Sequence, residues 1–78
     1  MSIFEKNKNL LGLYVNAYYK NGDVLSGIWS EWWSKEDNIS MEDEGKTACE
    51  SILLEEVKNH WADSVEILET EIKDIRKA

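Results

Sequence analysis

Two runs of strand-forming residues flank a single tight turn, and that arrangement leaves residues 13–33 little freedom to be anything but a hairpin. Leu13, Val15, Ala17 and Tyr19 alternate with Tyr14, Asn16, Tyr18 and Lys20, the period-two pattern of a half-buried strand. Asn21-Gly22 follows, a pair that tolerates the positive φ required at both central positions of a type I′ turn. Residues 24–33 then return, rich in β-branched and aromatic side chains. Gly27 interrupts that return, which predicts a bend or a close approach of another backbone. Gly22 and Gly27 are thus the expected turn and bend positions.

The flanking segments are less constrained. Residues 2–11 place Ile3, Leu10 and Leu11 at roughly helical spacing before Gly12, predicting a short N-terminal helix with a glycine C-cap. An acidic stretch over residues 35–46, closed by Gly45, reads as a connection. Beyond it two patterns compete. Leu54, Val57, Trp61, Val65, Leu68, Ile72 and Ile75 recur at steps of three and four, the stripe of one long amphipathic helix. The same stretch holds three β-branched runs, 51–54, 65–68 and 72–75, that read as strands. Two folds therefore stand side by side: mainly β, or α+β with the hairpin docked on a long C-terminal helix. Either forms one domain over residues 1–78, since a chain this short buries only roughly 60% of its unfolded surface around a thin core.

Charge narrows the functional classes. Nine Lys and Arg face 16 Asp and Glu, for a net charge of −7. Residues 1–34 are balanced, so the whole excess lies in residues 35–78. That opposes binding to a nucleic acid backbone or an anionic membrane. No run of about 18 apolar residues exists to span a bilayer. One cysteine and an N-terminus without a signal-peptide pattern make a cytoplasmic location the expectation. Glu42-Asp43-Glu44 and Glu55-Glu56 lack the spacing of a calcium loop. Cys49 and His60 are single copies, too few for zinc and without an orienting group for a nucleophile. Ser26, Ser30 and Ser34 sit in no nucleophile-elbow or phosphate-loop pattern. Neither an enzyme nor a cofactor is expected. Trp29, Trp32 and Trp33 are more informative: three indoles within five residues exceed what a thin core needs, and alternation sends Trp32 and Trp33 to opposite faces.

Two motifs in order resemble the Sm-like family. The first is the alternating strand, Lys20-Asn21-Gly22, four residues, Gly27 and an apolar strand; the second is Val65-Glu-Ile-Leu68, a three-residue turn, and Ile72-Lys-Asp-Ile75. The resemblance covers about residues 3–77. It implies an N-terminal helix followed by a small barrel of five strongly bent strands, and so favours the mainly β alternative. It also implies subunits that pair edge to edge into a homo-oligomer, with a protein or RNA partner. In RNA-binding members an Asp and an Asn after the second strand hold a base, which the resemblance carries onto Asp37 and Asn38, beside Lys35 and the Trp32 and Trp33 indoles. This chain departs from the pattern in two places. Asp37-Asn38 come several residues late, and Glu69-Thr70 stand where the family has Arg-Gly. A carboxylate in place of a guanidinium repels phosphate, so RNA binding is disfavoured. The competing expectation is a small acidic inhibitor that occupies a basic nucleic-acid-binding groove on another protein.

Overall fold

The computed structural model describes residues 1–58 and 62–78. The expected hairpin forms as β1 (Tyr14–Tyr19) and β2 (Val24–Trp33), antiparallel, with Val15 opposite Gly27. Alternation sorts β1 as the sequence predicts, with Val15 and Ala17 wholly buried. The connection differs from the predicted type I′ turn. Gly22 N–H donates to Tyr19 O at 3.1 Å and Tyr19 N–H to Asp23 O at 2.8 Å, and of the turn residues Gly22 alone has positive φ, +97°. This is the three-residue loop in which a type I turn is followed by a left-handed glycine. Asn21 is freed from the left-handed region, and its side-chain oxygen accepts Asp23 N–H at 2.9 Å, an Asx turn that holds the loop.

Among the described residues the second half builds strands in place of the long helix. β3 (Ser51–Glu55), β4 (Ser64–Leu68) and β5 (Ile72–Lys77) complete one antiparallel sheet in the order β4-β3-β2-β1-β5. Among the described residues beyond Gly45 none is α-helical, which overturns the long C-terminal helix. The helical stripe was a coincidence of strand spacing: Leu54, Val65, Ile72 and Ile75 are interior positions of three successive strands. Trp61, a member of that stripe, and His60 lie outside the described residues. The N-terminal helix is shorter than expected. α1 (Ile3–Lys6) is followed by a 3-10 turn over Lys8–Leu10, because the Asn7 side chain takes the Ile3 carbonyl at 2.9 Å and competes with further helical bonds.

Topology forces the sheet to curl. β4 and β5 are its two outermost strands, yet only the 3-10 turn Glu69–Glu71 joins them. Leu68 and Ile72 are at most ~14 Å apart along an extended chain, whereas the outer strands of a flat five-stranded sheet lie about 19 Å apart. Gly27 makes the curl possible in β2. A Cβ there would sit 2.8 Å from Glu55 O and 3.2 Å from Val57 Cγ2, so only hydrogen fits between the first half of β2 and the end of β3. One inner face of this curled sheet buries Trp29, Ile52, Leu54, Ile67 and Ile75. Phe4 of α1 closes one end, its ring 5.9 Å from that of Trp29.

Candidate functional site

The end of β2 and the segment that follows it carry most of the residues singled out from sequence. A bulge prepares them. Trp29 pairs with Leu54 and Glu31 with Leu53, leaving Ser30 as the extra residue. The bulge shifts the inside-outside phase, so Trp29 and Trp32 fall on one side although three residues apart. Their rings meet edge to face at 6.0 Å, a favoured aromatic geometry. Trp33 consequently faces the other way.

Beyond β2 the chain fastens itself. Ser34 N–H donates to Asp37 Oδ2 at 2.9 Å, and Asp37 N–H donates to Ser34 Oγ at 3.2 Å. This reciprocal pair is the local chemistry of a capping box, and it precedes a 3-10 segment over Ile39–Glu44. Gly45, with φ +79°, ends that segment. Asn38 is turned inward: its amide donates to Cys49 O at 2.8 Å and to Ser51 Oγ at 2.9 Å. Both of its N–H donors are therefore committed to holding the connection against the start of β3.

Trp32, Lys35 and Asp37 do come together. With Ser34 and Glu50 they line a cleft of about 500 Å³, joined by Glu5 and Glu36. Glu50 organises it. Its Oε1 accepts Trp32 Nε1–H at 2.8 Å and the Ser2 hydroxyl at 3.0 Å, tying the indole to the N-cap of α1. Nothing local singles out Glu50 among the 13 acids of residues 35–78; only the fold brings Trp32 and Ser2 to it. Ser34 and Asp37 at a spacing of three were legible as a capping pattern. The cleft holds four carboxylates and one ammonium, and the turn where the family resemblance asks for Arg-Gly lies next to it, Glu69 N–H donating to Glu50 O at 2.9 Å. A phosphate would meet net repulsion there, and the Asn38 amide is not free to read a base. Among the described residues no group of three or more His, Cys, Asp and Glu is placed to hold a metal ion, and no helix is long and apolar enough to cross a membrane.

The chain matches no protein-family model, no curated protein and no solved structure. Its functional reading therefore rests on geometry, and the second notable feature is the pair of sheet edges. Among the described residues no strand pairs with the outer side of β4 or of β5. Their charges are opposite. β4 and the turn that follows it, residues 64–71, carry Glu66, Glu69 and Glu71 with no base, whereas β5 carries Lys73, Arg76 and Lys77 against Asp74 alone.

Proposed function

We propose that this chain is a non-enzymatic, Sm-like binding module that assembles with copies of itself, the β4 edge of one subunit pairing with the β5 edge of the next. The observation that carries the reading is the presence of two open edges of opposite charge on one curled sheet. An open edge offers a ready row of backbone donors and acceptors. Because the two edges differ, the contact is head to tail, and repetition around a closing rotation gives a ring. The five strands, the short N-terminal helix and the bend at Gly27 are what the family resemblance asks for, and they support the same reading.

The partner we propose is a protein. The cleft around Trp32 presents an aromatic surface among carboxylates, which suits a cationic side chain better than a phosphate. Light scattering or sedimentation equilibrium at micromolar concentration tests the assembly: the expected result is a multiple of 9.1 kDa, with the association weakened by Glu66→Lys. A 9.1 kDa species throughout that range would overturn the module reading. It would favour the second one, a monomeric acidic inhibitor of a basic groove, for which the concentration of the whole −7 charge in residues 35–78 is the supporting observation.

A further inference from the structure

The β5 edge is not simply open. Ala78 N–H donates to Tyr14 O at 3.1 Å, and the two strands run antiparallel with Asn16 opposite Arg76 and Ala17 opposite Ile75. Hydrogen-bonded pairs alternate along such a ladder, so Arg76 and Asp74 bond to β1 while the Ile75 N–H points away from it, toward the edge. There it meets its own neighbour: Asp74 Oδ1 accepts the Ile75 N–H at 2.9 Å. The other oxygen of the same carboxylate, Oδ2, accepts Arg76 Nε–H at 2.7 Å, and the guanidinium lies 5.2 Å from the centre of the Tyr18 ring. One side chain thus occupies two of the groups that an incoming acidic strand would use, a main-chain donor and a guanidinium on the same edge. The hydrogen bond from Arg76 holds the Asp74 carboxyl below its ordinary value of 3.8. The β4 edge has a weaker counterpart. Since Glu69 N–H bonds to β3 through Glu50 O, the Leu68 N–H faces outward, and Glu71 Oε1 accepts it at 3.3 Å.

We infer that Asp74 is a latch on the assembly edge: closed, it holds the Ile75 N–H and Arg76 within its own subunit; open, it releases both to the β4 edge of a second copy. The inference rests on the edge-to-edge reading above. Pairing must break two hydrogen bonds inside the subunit before it forms new ones across the interface, so the latch raises the concentration at which subunits join. It is a local way of blunting an edge without burying it.

Sedimentation equilibrium on the full chain, at pH 7 and moderate salt, tests this with three variants whose folding is checked by far-UV circular dichroism. Asp74→Ala removes both bonds of the latch and is expected to self-associate about tenfold more tightly than the unaltered chain. Asp74→Asn keeps an acceptor for Ile75 N–H without the charge that holds Arg76, and is expected to give a smaller tightening in the same direction. Asp74→Ala combined with Arg76→Ala should keep only the part of the gain that comes from the freed Ile75 N–H, because no guanidinium is left to meet the acidic edge. An unaltered chain that associates, with an unchanged or weaker constant in Asp74→Ala and Asp74→Asn, overturns the latch while leaving edge pairing in place. No association in any of the four proteins overturns both.

Discussion

The two halves of β2 solve opposite problems. From Val24 to Ile28 the strand pairs with β1, and from Ile28 to Trp33 with β3. The first half works by leaving a side chain out: Gly27 lets the Glu55 carbonyl come within 2.8 Å of where a Cβ would stand. The second half works by adding side chains and one residue, the Ser30 bulge gathering Trp29 and Trp32 on one side with Glu50 holding the latter's indole. A close backbone approach has no slack, because neither chain can move without breaking its ladder. A network of side-chain hydrogen bonds has several partial substitutes. Sensitivity to substitution should therefore fall steeply from the first half to the second.

Gly27→Val is the sharpest way to break that contrast. Its β-branched side chain would overlap a backbone carbonyl and Val57 Cγ2 at once, and relief requires β2 and β3 to separate. We expect a loss of about 3 kcal/mol or more. For a domain of this size that is a fall in Tm of more than about 12 °C by thermal circular dichroism. Gly27→Ala should fall between, since a single Cβ meets the same carbonyl. A Gly27→Val protein as stable as the unaltered chain would mean that the curl does not depend on this contact.

Asn38→Ala comes second and tests the other end of β2. Removing the amide leaves Cys49 O and the wholly buried Ser51 Oγ without their donor, at a cost of about 2 kcal/mol. The same variant separates two roles for Asn38. A residue that braces the connection lowers Tm by about 10 °C and leaves nucleic acid affinity unchanged, with no tight binding to U-rich or A-rich RNA before or after. A residue that reads a base does the reverse. Fluorescence polarisation at physiological salt gives the decisive reading: sub-micromolar RNA affinity lost in Asn38→Ala would defeat the bracing role.

How much of this was legible follows the same division. Gly22 and Gly27 announced themselves because glycine is informative where the backbone needs something no other residue allows. The turn type was misjudged because Asn-Gly serves two loops that differ in length by one residue, and the hydrogen bonds of Tyr19 choose between them. The strands of the second half were visible in Ile52, Val65, Ile67, Ile72 and Ile75, yet their spacing across turns also fitted a helix, so local pattern alone left the choice open. The cleft was half legible. Trp32, Lys35 and Asp37 lie within a few residues of each other, while Glu5 and Glu50 reach it only through the packing of α1 and the start of β3. A bulge such as that at Ser30 leaves no compositional mark, which is why Trp29 and Trp32 could not be placed together beforehand.

Glu50→Ala sharpens the contrast at smaller amplitude. It removes the acceptor from Trp32 Nε1–H and from the Ser2 hydroxyl, both partly open to water, so about 1 kcal/mol is expected. Glu50→Gln keeps an acceptor oxygen and should cost only a few tenths of that figure. Tryptophan fluorescence reports the change directly, since Trp32 loses its charged partner while the buried Trp29 does not. An Ala variant no less stable than the Gln variant would mean that the two bonds contribute nothing to holding α1 against the sheet.

The smallest expected effect lies on β1, the strand with which the first half of β2 pairs. Tyr19, at the end of β1, packs against the core and shares a cleft with Leu25, Val65, Asp23 and Glu71. Burial, then the Glu71 charge, then that of Asp23 raise its phenol above the usual 10.0. A raised value means that the folded chain favours the neutral phenol. The stability this contributes is fully present below pH 10 and is lost as pH climbs through the folded-state value. An absorbance titration of the unaltered chain minus Tyr19→Phe should show the missing step above 10.0. High salt separates the causes: screening weakens the two carboxylate contributions but not burial. The midpoint should therefore move down in 1 M salt and stay above the ordinary value. A midpoint that salt returns fully to 10.0 would assign the shift to charge alone and leave Tyr19 solvated at the hairpin end of the sheet.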